Sequence, residues 1–149
     1  MLERPALKRI LTLAITLGNV IVLGQGPVES SASMKQLMLD LIHPSSNSIL
    51  LTINRGGPKD ESEWTEVRRS ALTLQECGSL LTLPARARDH GAWLNNAKLL
   101  SAAGAAAYQA AQAKDPKALA TVAEQLDAAC TTCHKQYRPN VFPREGGSK

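Results

Sequence analysis

Apolar residues repeat at alternating steps of three and four through most of this 149-residue chain, and no segment shows the every-second-residue alternation of a strand. Such spacing is typical of helices that bury one stripe of side chains against their neighbours. The two clearest stripes are Trp64, Val67, Ala71, Leu74, Gly78 and Leu81, and Trp93, Ala97, Leu100, Gly104, Ala107 and Ala111. The chain is therefore expected to fold as an all-α protein.

Clusters of helix-breaking residues divide the chain into four helical segments. Residues 55–60 hold two glycines and a proline, and residues 84–89 begin with a proline and end with Asp89, a predicted N-cap. A third boundary pairs Asp115, as N-cap, with Pro116 as the first helical residue. Four helices of roughly twenty residues with short connections predict an antiparallel up-and-down four-helix bundle.

The first and the last of the four predicted helices each have one apolar face. The first spans about residues 33–53 and presents one face made of Met34, Leu37, Met38 and Leu41. Pro44 falls inside it and removes a backbone hydrogen bond, so a kink or a break is expected around His43 and Pro44. The last helix ends before Pro139, and its stripe is Leu119, Val122, Leu126 and Ala129.

Residues 1–30 have the pattern of a secretory signal peptide. A basic start precedes a largely apolar run, residues 10–24, that is short for a bilayer span, and small and polar residues follow. The cleavage position lies between residues 24 and 33, and an uncleaved membrane anchor is the alternative. Either way the rest is exported. We expect a mature domain over residues 31–139, without stable membrane association, and a flexible polar tail at 140–149.

Composition narrows the function classes. The formal net charge is only +4, and no basic helix face is interleaved with aromatic residues, so nucleic acid is not an expected partner. Aromatic residues make up 3% of the chain, with one Phe, two Trp and two Tyr. A core with so few large side chains is thin unless something else fills it. A large apolar cofactor would do so.

The motif Cys130-Thr-Thr-Cys133-His134 lies in the last turns of the fourth predicted helix. A disulfide there would close a very small loop and constrain the unfolded chain little. A thiol redox pair would be expected at a helix start after a strand, and a zinc site needs a second cluster that the other histidines and Cys77 do not form. Covalent haem attachment uses the whole motif, because two thiols add to the haem vinyl groups and the histidine ligates the iron.

The stretch from Cys130 to Arg138, on the last of four helices behind a signal peptide, resembles the cytochrome c′ superfamily of bacterial periplasmic haem proteins. The resemblance covers about residues 33–138 as architecture, and its specific part is the final nine residues. It implies a left-handed bundle with one haem c near one end, often dimeric through the first two helices. It also implies that His134 is the proximal ligand, that Arg138 lies near the proximal face, and that the first helix lines the distal side.

The sixth iron ligand then decides the function. Met34 and Met38 stand four residues apart and share one face of the first helix, so either could ligate. Met38 is favoured because it lies deeper in the helix, and the alternative is that both only fill the core. His43 follows Met38 by five residues, so we expect it to point elsewhere. Cys77 is expected to be a small buried residue.

A Met/His-ligated haem has a raised reduction potential and suits electron transfer. We therefore predict a periplasmic one-electron carrier, not an enzyme, that exchanges electrons with periplasmic redox proteins; a homodimer is compatible with the sequence. One alternative is a five-coordinate protein that binds or buffers NO, with Met38 as an apolar lid. Another is a haem-free structural or zinc-binding domain. Five other basic residues are candidates for neutralising the haem propionates or for docking a partner protein: Arg68, Arg69, Arg86, Arg88 and Lys98.

Overall fold

A computed structural model describes residues 32–140, so the predicted signal peptide and nearly all of the predicted tail lie outside the described residues. Within this part the chain is all-helical, as expected, and it contains four helices and no strand. The first helix, α1, is continuous over residues 34–54. The other three are α2 Glu61–Leu80, α3 Ala92–Ala113 and α4 Pro116–Tyr137.

The predicted N-cap Asp115 is confirmed, but the predicted N-cap Asp89 was wrong, because α3 begins at Ala92 and its N-cap is Gly91. The Asp60 carboxylate accepts a hydrogen bond from the backbone N–H of Glu63 at 2.9 Å. Asp115 accepts from two backbone N–H groups at the start of α4, where Pro116 is the first helical residue. Asp89 lies two residues before that N-cap, and its carboxylate accepts from the backbone N–H groups of Gly91 and Trp93. Each carboxylate accepts hydrogen bonds from backbone N–H groups that have no partner within the helix. Its negative charge also complements the positive end of the helix dipole.

Each helix packs against two of the other three. α2 packs most extensively against α3, α3 also contacts α4, and α1 contacts both α2 and α4. All the residues of the predicted stripes on α2, α3 and α4 are buried. α2 ends at Leu80, before the predicted boundary at residues 84–89, but Leu81 remains in the core. The predicted periodicity therefore identifies the packed faces of these helices.

Two glycines allow α2 and α3 to approach closely. A Cβ at Gly78 would lie 2.6 Å from the backbone nitrogen of Ser101, and a Cβ at Gly104 would lie 2.9 Å from the carbonyl oxygen of Ala71. Real Cβ atoms essentially never come this close to a backbone atom. The Ser101 hydroxyl also donates to the backbone oxygen of Gln75 at 3.1 Å. Backbone proximity thus replaces large side chains in this part of the core.

α1 contains a π-helical stretch, Leu37–Ile42, between an α-helical turn, Met34–Gln36, and a longer α-helical part, His43–Asn54. The N–H of His43 donates to the carbonyl of Met38, five residues back. Pro44 follows immediately. A proline cannot donate to the carbonyl four residues back and its ring collides with that carbonyl in a regular helix, and a wider turn accommodates it. The helix therefore does not break at Pro44.

The π-helical stretch changes which side of α1 faces the core. Leu37 and Ile42, five residues apart, are 2% and 4% exposed, whereas Leu41 is 40% exposed. The predicted face of α1 was wrong in including Leu41, because it assumed the regular α-helical turn of 3.6 residues. Met34 and Met38 are partly buried and pack against the core, as expected.

Candidate functional site

The motif residues Cys130, Cys133 and His134 lie on the last turns of α4, as predicted, and all three are half-buried. They line a cavity of about 310 Å³ between α4 and α1. The opposite wall includes Met38 and Ile42 from α1. The lining of this cavity is largely apolar, which is typical of a site for a large apolar ligand with a few polar contacts.

A second cavity, of about 230 Å³, adjoins the first. The two cavities have three lining residues in common, which are Met38, Cys133 and His134. The predicted proximal ligand, on α4, and the favoured sixth ligand, on α1, therefore both line both cavities. Met34 lines only the smaller cavity.

No protein-family model, curated protein or solved structure matches this chain.

His43 lines the larger cavity together with Met38. The prediction that it points elsewhere was wrong. Five residues along a regular α-helix turn the direction of a side chain by about 140° from its starting point, but the π-helical turn between these two residues brings them back to one side. The visible signal was Pro44, because a proline inside a helix requires an irregular turn before it.

Asn96, on α3, is a functional candidate that the sequence reasoning missed. It lines the larger cavity and is only 5% exposed. Its side-chain amide offers hydrogen-bond donors and an acceptor to a ligand or an ordered water in that cavity. The signal was its position, three residues after Trp93 and four before Leu100, within a stripe that is otherwise apolar.

Positive charge gathers at the smaller cavity. Lys35, Arg88 and Arg138 all line it. Arg138, the C-cap of α4, lines this cavity together with His134, four residues earlier. Of the five other basic residues considered in the sequence, only Arg88 reaches either cavity.

Burial sets the protonation states of the motif. It raises the pKa of the Cys130 and Cys133 thiols, which is opposite to the lowered pKa that a thiol redox enzyme uses. Burial and the neighbouring Arg138 charge lower the pKa of His134. The imidazole is therefore neutral at pH 7, as a metal ligand must be. The structure leaves both motif cysteines as thiols, and Cys77 is a buried thiol, as expected.

An aromatic pair supports the end of α4 that carries His134. The rings of Trp93 and Tyr137 meet edge to face, with centroids 4.9 Å apart and an interplanar angle of 77°. The indole N–H of Trp93 donates to the backbone oxygen of Leu81 at 2.7 Å. Burial and a hydrogen bond to Asp89 raise the pKa of Tyr137 to about 12, so its hydroxyl stays protonated and continues to donate. Two of the few aromatic residues thus stand beside the motif.

Over residues 32–140, His, Cys, Asp and Glu side chains form no group of three or more that could hold a metal ion. In the same part of the chain, no helix is both long and apolar enough to cross a membrane.

Proposed function

We propose that this chain is a c-type cytochrome with an antiparallel up-and-down four-helix bundle. One haem c is attached through Cys130 and Cys133, and His134 is the proximal iron ligand. The observation that carries the proposal is that Met38, Cys133 and His134 are the residues common to both cavities. A thioether, a haem-attaching thiol and a neutral imidazole then surround one space between α1 and α4.

The residues that line this space fit a haem. The larger cavity is mostly apolar, which suits the macrocycle, and the Asn96 amide adds a polar group to its lining. The smaller cavity carries Lys35, Arg88 and Arg138, which suit the two propionates of a haem. A thin core with small residues at the α2–α3 contact is also consistent with a bundle that needs a cofactor at one end.

The function that this site supports best is one-electron transfer between periplasmic redox proteins. A haem bound there supplies an iron centre that cycles between the ferric and ferrous states. His134, from α4, and Met38, from α1, would be the residues that ligate its iron. A thioether opposite an imidazole raises the reduction potential. Export by the predicted signal peptide places the protein where c-type haem is attached and used.

Mass spectrometry and an optical spectrum of the exported protein test the proposal. We expect one covalently added haem, lost in a Cys130→Ala/Cys133→Ala variant, and a low-spin ferric spectrum with a thioether-to-iron charge-transfer band. Met38→Ala should abolish that band, and Met34→Ala, the matched control, should retain it. Absence of covalent haem in the wild type would overturn the proposal. Covalent haem with a high-spin spectrum would instead favour a five-coordinate site that binds NO.

A further inference from the structure

We infer that His43 is a second iron-ligand side chain of this site, able to bind the iron in place of Met38. The inference rests on the proposed function, since it requires a haem on Cys130 and Cys133. It gives α1 two potential distal ligands of different chemistry, a thioether and an imidazole.

The backbone of α1 brings Met38 and His43 to the same side of the helix. The N–H of His43 donates to the carbonyl of Met38, which closes a turn of five residues. In a regular α-helix these two side chains would point about 140° apart. With the π-helical turn between them, both line the cavity whose other wall contains His134. Single π-helical turns inside α-helices are frequent at functional sites.

The contacts of the His43 side chain are weaker than those of its backbone. The residue is exposed at the edge of the cavity, and its Nε2 lies 3.5 Å from the side-chain nitrogen of Asn47, at the outer limit of a hydrogen bond. Its backbone is held more firmly, because its carbonyl accepts from the hydroxyl of buried Ser46 at 3.0 Å. The imidazole can therefore turn into the cavity while α1 stays in place.

The exchange is a simple substitution at the iron. With a haem bound, the Met38 sulfur would leave the iron and an imidazole nitrogen of His43 would take its place, with no change in the oxidation state of the iron. A thioether is the softer ligand and favours ferrous iron, whereas an imidazole favours ferric iron more strongly. Ligation by His43 therefore lowers the reduction potential of the site.

The chain offers a matched control. His90 is the third histidine of the sequence. It is exposed just before α3 and lines neither cavity. Replacing it tests whether any surface histidine, from the same or another molecule, can ligate the iron.

The experiment compares purified haem-loaded proteins by optical and electron paramagnetic resonance spectroscopy over a range of protein concentrations. The wild type and His43→Ala should both show the thioether-to-iron band. Met38→Ala should lose the band but stay low-spin, with the resonance pattern of two imidazole ligands. Met38→Ala/His43→Ala should become high-spin, and Met38→Ala/His90→Ala should remain low-spin at every concentration.

Added imidazole should return the Met38→Ala/His43→Ala protein to the low-spin state, which shows that its cavity is intact. A high-spin Met38→Ala protein, with a spectrum equal to that of the double variant, would overturn the inference and leave the haem proposal standing. Failure of the wild type to carry covalent haem would overturn both. A low-spin double variant at all concentrations would exclude His43 as the replacing ligand.

Discussion

The hydroxyl of Tyr137 donates a hydrogen bond to the carboxylate of Asp89, a residue 48 positions earlier in the chain. The other oxygen of the same carboxylate accepts from the backbone N–H groups of Gly91, at 2.9 Å, and Trp93, at 3.0 Å. One side chain therefore joins the start of α3 to the last turn of α4. His134 lies one turn earlier on α4, so this link holds the helix end that presents the proposed proximal ligand.

Tyr137→Phe should loosen this helix end without removing the ring. The variant keeps the edge-to-face contact with Trp93 but loses the hydrogen bond to Asp89. We expect a lower thermal unfolding midpoint and a changed reduction potential, measured by calorimetry and by redox titration. Tyr108→Phe is the control, because the Tyr108 hydroxyl has no hydrogen bond among the described residues. Equal effects of the two substitutions would contradict the proposed link.

The acid sensitivity of folding should contain a contribution from Asp89. The hydrogen bond from Tyr137, followed by that from the Trp93 N–H, holds the pKa of Asp89 below its usual range. Because the folded-state pKa is the lower one, this stabilisation is complete above the unfolded pKa of about 3.9 and is lost as the pH falls through the folded pKa. Urea unfolding at a series of acidic pH values measures it. Tyr137→Phe should flatten the dependence, and an unchanged slope would contradict the assignment.

Gly104→Ala should destabilise the bundle by about 1–3 kcal/mol, the usual range for overpacking. The new Cβ would press on the backbone of Ala71 and Gln75, which cannot turn away as a side chain can. Chemical denaturation of this variant and of the wild type provides the comparison. A Gly104→Ala protein as stable as the wild type would contradict the close approach of α2 and α3.

Asn96→Asp should lower the reduction potential of the haem-loaded protein. An ionised carboxylate in the larger cavity favours ferric over ferrous iron, and its effect is strong because little water screens it. The decrease in reduction potential should become larger as the pH rises, because the buried carboxyl group then ionises. Asn95→Asp adds the same charge on the adjacent exposed residue and should shift the potential much less. Redox titration at several pH values makes the comparison, and similar shifts would contradict the cavity position of Asn96.

A homodimer through α1 and α2, if it forms, should depend on their exposed leucines. Leu51 and Leu39 on α1 are 60% and 57% exposed, and Leu72 on α2 is 45% exposed. Leu39→Glu/Leu51→Glu should convert a dimer to a monomer in analytical ultracentrifugation, because charge in an apolar interface is costly. Leu99→Glu, on an exposed position of α3, should leave the dimer intact. Retention of a dimer in the first variant would exclude this face.

Most of the helical architecture could be predicted, because it depends on local patterns. Trp64, Val67 and Leu74 are buried where their three-and-four spacing places them, and Asp115 caps α4 because a carboxylate before a proline suits a helix start. The motif also lies where expected, between Cys130 and His134 on the last turns of α4. Side-chain spacing along one helix needs no knowledge of the neighbouring helices.

The parts of the site that face the motif were decided by tertiary structure. The position of Asn96 in the larger cavity and the Asp89–Tyr137 hydrogen bond depend on how separate helices meet, which no local spacing records. The direction of His43 depends on a π-helical turn before Pro44 that a repeat of 3.6 residues does not contain. The sequence by itself thus determined four helices and the cysteine–histidine motif. Only the packing of α1 against α4, with one wider turn, decided that Met38 and His43 line the same cavity as His134.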